Sequence, residues 1–175
     1  RINDTFNTDT FQYVADNGII KAIINMSLGG GKSLAVNAVV DSTVTVHDIA
    51  VVVSAGNNGQ DSCFLSPASA VQAITVGATS SDDFMTSFSS RGSCVDIFAP
   101  GDGIIGAWYT GPTARTTLSG TSMASPHVAG VFASYWSQFP HLSTSQITQL
   151  VINNAGAGKI PNLDVDSPNL LLRLA

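Results

Sequence analysis

Apolar positions along this chain fall in blocks more often than they alternate. KAIINMS (21–27) and IAVVVS (49–54) set apolar residues side by side, as in a strand covered on both faces. AITVGA (73–78) reads as a third such strand, and VDIFAPG carries a short fourth near 95–98. Between the first two, Leu34, Val36, Val39, Val40 and Val44 recur at helical spacing, and Ser33 stands where a helix of about 34–47 takes its cap. The opening residues are polar and turn-rich, and TFQYVADNG predicts a short helix closed by Gly18. GIIGAWYTGPTARTTLSG predicts a hairpin turning at Gly111 and Pro112. The longest helix falls on TSMASPHVAGVFASYWSQF, with Pro126 in its first turns, and a last one of about 144–154 starts after Ser143. Strands alternating with helices predict an α/β fold: a mainly parallel twisted sheet with helices on both faces, in one layered unit.

Composition narrows the partners. Hydrophobic residues make up 44% of the 175 and charged ones 11%, a globular balance. The formal net charge is −5 and the seven Lys and Arg are scattered, so no basic patch is offered to nucleic acid. The apolar runs are too short to cross a bilayer, no basic-then-apolar leader opens the chain, and no membrane anchor is expected. Low charge with abundant Gly, Ser, Thr and Asn suits a secreted protein, and a chain opening on Arg1 suits a processed or excised one. Cys63 and Cys94 stand beside no histidine or second cysteine, which leaves free core thiols or one disulfide, worth about 3 to 4 kcal/mol in the chain-entropy model. Asn3 and Asn25 open N-x-[ST] sequons, and Asn25, in an expected buried strand, is a poor glycosylation site.

NMSLGGGKSLAV (25–36) has the strand, glycine loop and helix order of a phosphate-binding loop, but Met26 stands where G-x-x-x-x-G-K-[ST] requires its first glycine. In parallel sheets ligands sit beyond the carboxyl ends of the strands, which makes SLGGG and AGNNG the loops of interest. LSGTSMASPHVAGV (118–131) is more informative. A serine two residues after a glycine and entering a helix places the Ser122 hydroxyl by unpaired backbone N–H groups and a positive dipole end, which favours an anion forming there.

GTSMASPHVAG resembles the nucleophile segment of the subtilisin-like serine proteases. SLGGG, SAGNNG, SPAS, TVGA, FSSRGSCVDIFAPG and LSGTSMASPHVAG follow in the order of that family's proteinase K branch, closely over about 20–135. The resemblance implies that Ser122 is the nucleophile and that the Asn57 carboxamide and the Ser122 N–H bind the oxyanion. It implies that Ser27, Leu28 and Gly29 pair with an extended peptide substrate, and that Ala55 and Gly56 wall a pocket for a large apolar or aromatic side chain. SCFLSPA and RGSCVDIFAPG resemble aqualysin-like members, which implies a Cys63–Cys94 disulfide. It also implies a structural Ca²⁺ held by the carbonyls of Val71 and Ala73 and the carboxylate of Asp96.

The family's general base and its orienting carboxylate come from His-Gly-Thr and Asp-Thr-Gly segments, and neither tripeptide occurs here. His127 is five positions from Ser122, off its helical face, and the resemblance gives it packing and hydrogen bonding; His47 and His141 read as helix-end and loop residues. Residues 1–175 are therefore expected to be the carboxyl-terminal portion of a single catalytic domain, with an incomplete sheet. Its partners would be peptide or protein substrates, the amino-terminal part of the same domain, and a propeptide or inhibitor. The rivals are a non-catalytic peptide binder and a nucleotide domain using Lys32.

Overall fold

Two faces of one sheet divide the apolar residues between them. The structure, a computed structural model, describes residues 4–17, 21–164 and 166–174. In chain order the elements are helix Asp4–Asp16 (α1), strands Ile23–Met26 (β1) and Gly30–Gly31 (β2), helix Leu34–His47 (α2), and strands Ala50–Ser54 (β3), Leu65–Ser66 (β4), Ile74–Thr79 (β5), Ile97–Pro100 (β6), Ile104–Ala107 (β7) and Arg115–Leu118 (β8). Helices Thr121–Gln138 (α3) and Thr144–Asn153 (α4) follow, then strands Gly156–Ala157 (β9) and Leu170–Leu171 (β10). The main sheet runs β1-β3-β5-β6-β10-β9, parallel except for β9.

Strand β3 shows why blocks of apolar residues were needed. Ala50 and Val52 face a core shared with Val128, Phe132 and Trp136 of α3, while Val51 and Val53 face Val40 of α2 with Met26, Ala70 and Ala73. Period 2 then sends neighbours to opposite sides, and both sides are dry. Helices thus cover both faces, as expected. The α2 cap is Ser33, whose hydroxyl accepts from the Val36 N–H at 3.3 Å, and the α4 cap is a full capping box between Ser143 and Gln146.

Asp48, in a left-handed conformation after α2, joins three elements. Its carboxylate accepts from the Thr144 N–H at 2.8 Å and from Lys21 Nζ at 3.2 Å, while Lys21 also donates to the Leu142 carbonyl and lies 4.8 Å from the Trp136 ring centre. Burial raises the Asp48 pKa, but the Thr144 N–H, the Lys21 ammonium and the Thr144 hydroxyl outweigh it and hold the carboxyl below its ordinary value.

Several boundaries differ from the sequence reading. Helix α1 begins at Asp4, within the stretch expected to be turns, and its expected stop at Gly18 lies outside the described residues. Among the described residues strand β1 has only β3 as a partner, and Asn25 is exposed instead of buried, because an edge strand keeps one side open. Asn3 lies outside the described residues. Strands β9 and β10, and the β2–β4 pair, carry two residues each, too few for any periodicity to show.

Candidate active site

Ser122 is the second residue of α3, which begins directly behind the β7–β8 hairpin. Its cap, Gly120, sits at φ 155° and ψ 161°, a region open essentially only to glycine. Thr121 donates both its N–H (2.8 Å) and its hydroxyl (2.9 Å) to Oδ1 of Asn57, and its Oγ1 accepts from the Gly56 N–H at 3.2 Å. Two donors on Oδ1 fix the carboxamide, since a flipped amide would set its NH₂ against the Thr121 N–H. Nδ2 is left without a hydrogen bond among the described residues, as is the Ser122 N–H at the positive end of α3. The site therefore offers two unpaired donors beside a hydroxyl.

Leu28, Gly29, Ala55, Gly56, Asn57 and Ser122 line one open cavity of ≈ 570 Å³. Ser27 touches it through Ser122, whose hydroxyl donates to the Ser27 carbonyl at 3.2 Å. Ala55 is fully buried. A Cβ on Gly56, where φ is +109°, would fall 2.5 Å from Leu65 Cδ1 and 2.9 Å from Ser90 Oγ, so bulk there would require those wall residues to shift. The glycines of GGGKS have a different use from phosphate binding. Gly30 and Gly31 pair antiparallel with Ser66 and Leu65, and Lys32 Nζ donates to the Cys63 carbonyl at 2.9 Å. Strand pairing aligns these glycines with the Leu65–Ser66 backbone and the ammonium is engaged, a structural use that stands against the nucleotide reading.

None of the three histidines is shown to reach Ser122. His127 Nδ1 contacts the Met123 carbonyl at 2.8 Å, the hydrogen bonding expected of it, but its ring is exposed instead of packed, because no described element covers that side of α3. His47 ends α2 and His141 lies in the loop before α4, both exposed.

Val71, Ala73 and Asp96 line a second cavity, of ≈ 380 Å³, beside the amino end of α4. Asp96 Oδ2 accepts from the Thr75 N–H at 2.7 Å, while Oδ1 has no hydrogen bond among the described residues. Asp96 is exposed by surface area, but the protein around its carboxyl at the cavity wall costs it hydration and pushes its pKa up to about 6 against the opposing pull of the Thr75 N–H. A carboxylate with a spare oxygen, on a cavity that Val71 and Ala73 also line, suits a hard cation. Among the described residues no cluster of three or more acidic, histidine or cysteine side chains adds to it.

Sequence reasoning missed Thr121 as the group that orients Asn57, and also Leu65, Ser66 and Ala68, which form the far wall of the first cavity. The threonine could have been suspected from its place between Gly120 and Ser122. The wall could not, since it depends on the β2–β4 pairing. Cys63 and Cys94 form a disulfide with Cα atoms 5.3 Å apart, behind that wall. No described helix is long and apolar enough to cross a membrane.

Comparison with known proteins gives one consistent picture. The subtilase family model matches residues 3–169. The chain is 48% identical over 160 residues to an extracellular serine proteinase of Thermus sp. (strain Rt41A), covering 91% of this chain and 39% of that protein. It is 46% identical over 148 residues to alkaline serine exoprotease A of Vibrio alginolyticus, covering 85% of this chain and 27% of the relative. A crystal structure of a cold-adapted subtilisin-like serine proteinase superposes with a TM-score of 0.94 at 39% identity, over 100% of this chain and 63% of that one. The chain thus spans well under half the length of these two sequence relatives. With the sheet, the disulfide and the Ser122–Asn57 cleft in the same register as the motifs that suggested them, the chain belongs to the subtilase family.

Proposed function

We propose that this chain is the carboxyl-terminal portion of a secreted, proteinase K-like serine endopeptidase with broad, apolar- and aromatic-leaning specificity. The observation that carries this reading is the Asn57 carboxamide held by Thr121, its Nδ2 unpaired in the cavity that Ser122 lines. A peptide lies along Ser27, Leu28 and Gly29 as an added strand, and its side chain before the cleaved bond enters the space walled by Ala55 and Gly56. Ser122 Oγ attacks the scissile carbonyl carbon and its proton passes to a histidine from the amino-terminal part of the domain, which an aspartate orients. The oxyanion accepts from Asn57 Nδ2 and the Ser122 N–H. As the tetrahedral adduct collapses, the amine leaves with the histidine's proton, and water then hydrolyses the acyl ester by the same route.

Val71, Ala73 and Asp96 would hold a structural Ca²⁺, which supplies a fixed positive charge that compensates the poorly hydrated carboxylate. A propeptide or protein inhibitor would occupy the same edge as substrate. The extracellular relative and the disulfide support secretion.

The test is a fluorophosphonate probe applied to the full-length protein carrying the Asp and His segments. Labelling at Ser122, lost in Ser122→Ala, is the expected result. Asn57→Ala should lower kcat by about 10²–10³, the loss known for one such donor in a subtilisin. A full-length protein that binds peptides but leaves Ser122 unlabelled would make it a peptide binder instead.

A further inference from the structure

Proline at position 126 has a consequence for the residue four positions before it. In a regular helix the Ser122 carbonyl would accept from the N–H of residue 126, but Pro126 has no N–H. That carbonyl, on the peptide of the nucleophile itself, has to find another donor. It finds Ser27, whose Oγ donates to the Ser122 carbonyl oxygen at 2.7 Å. The single hydroxyl hydrogen is thereby committed. The contact between Ser27 Oγ and Ser125 Oγ at 3.1 Å must then have Ser125 as its donor, and Asn25 Nδ2 donates to the same oxygen at 3.0 Å. Ser27 Oγ ends with one donated and two accepted bonds, its full capacity. In the opposite direction the Ser122 hydroxyl donates to the Ser27 carbonyl. Residues 27 and 122 thus touch both ways, but the Ser122 hydroxyl bond is given up when its proton goes to the base, so the lasting brace across the gap between the end of β1 and the start of α3 is Ser27 Oγ to the Ser122 carbonyl.

We propose that the Ser27 side chain is a positioning residue, locking the peptide of Ser122 to the edge on which substrate lies, and that Pro126 makes this possible by leaving the Ser122 carbonyl free. The assignment rests on Ser122 being the nucleophile. A substrate paired along 27–29 is registered against Ser27, so the brace sets how far its scissile carbonyl stands from Ser122 Oγ. Misplacement of reacting groups by even an ångström costs rate steeply. Substrate affinity depends on the edge itself and is left nearly untouched.

The experiment is a set of variants of the full-length protease, with active sites counted by fluorophosphonate titration so that misfolded molecules drop out. Ser27→Ala should lower kcat per titrated site by about tenfold, the upper range for one lost hydrogen bond, with KM for a peptide substrate changed less than about twofold. Ser27→Thr, which keeps the hydroxyl, should recover most of the loss. Pro126→Ala supplies the Ser122 carbonyl with a helical donor, so Ser27→Ala should cost clearly less in that background, a coupling that a purely structural role would not produce. A Ser27→Ala enzyme with wild-type kcat per site, or costs at 27 and 126 that simply add, would overturn the brace. Should Ser27→Ala not fold, Ser27→Cys takes its place: a weak thiol donor should give about a threefold loss, and unchanged kcat overturns the proposal. A wild-type protein that never labels at Ser122 overturns the protease reading and the brace together, whereas labelling wild type with an indifferent position 27 overturns the brace alone.

Discussion

At Asn57 the proposed oxyanion role depends on which end of a carboxamide faces the cleft, and that is decided by a neighbour's backbone and hydroxyl. The asparagine was legible in AGNNG, but its orientation was not, because no sequence period reports that Thr121 is buried and donates twice to one oxygen. Gly120 protects the arrangement: a Cβ there would sit 3.3 Å from Asn57 Nδ2, on a backbone that L-residues avoid. Gly120→Ala is expected to cost about 1–3 kcal/mol in strain and to slow fluorophosphonate labelling of Ser122, read by melting temperature and labelling rate on the same sample. Asp96 gives a second prediction. With its folded pKa raised to about 6 from 3.8, the folded chain binds more protons than the unfolded one between those values. Its contribution is fully present below about 4 and is lost as pH rises through 6. Melting temperature in a chelator should therefore decline across that window, and Asp96→Asn should flatten the decline. If the second cavity holds Ca²⁺, added Ca²⁺ should restore stability at pH 7 in the parent and far less in Asp96→Asn; equal responses would remove the cation from this site.

Elements with long apolar blocks or clear caps could be read from sequence to within a few residues: β3, β5, α2, α3 and α4 all lie where the pattern put them. The elements that escaped are those whose residues have no preference of their own. Gly30–Gly31 and Gly156–Ala157 become strands only because a neighbour offers a ladder, and α1 takes a polar stretch into a helix that packs against α2. Helix α4 is the better place to test local signals, since its capping box and the Asp48 carboxylate both act on its first turn. Ser143→Ala should cost about 1 kcal/mol and lower the melting temperature by roughly 2–4 °C, without altering probe labelling of Ser122 in the full-length protein. A change in labelling would mean that α4 is coupled to the cleft through α3.

Across the whole molecule the two borders of the sheet are finished differently. One ends on the short strands β10 and β9, with the Leu172 N–H donating to the Phe98 carbonyl at 2.7 Å, while the other ends on the longer β1, which among the described residues pairs with β3 alone. On the same flank Pro126, His127 and Gly130 of α3 are exposed. The open edge of β1 beside these exposed α3 residues is where the proposed amino-terminal part, bringing the Asp and His, would dock. Hydrogen exchange should accordingly show the outward amides of Ile23–Met26 exchanging fast in this chain alone and protected in the full-length protein; equal exchange in both would place that part elsewhere. The β10 border has its own consequence for biosynthesis. Because β6 is completed by residues some seventy positions downstream, a ribosome-bound chain cannot finish the sheet until 170–172 have left the exit tunnel. Until then the outer backbone groups of β6 lack their ladder, and a nascent chain carries an open strand edge that could mispair.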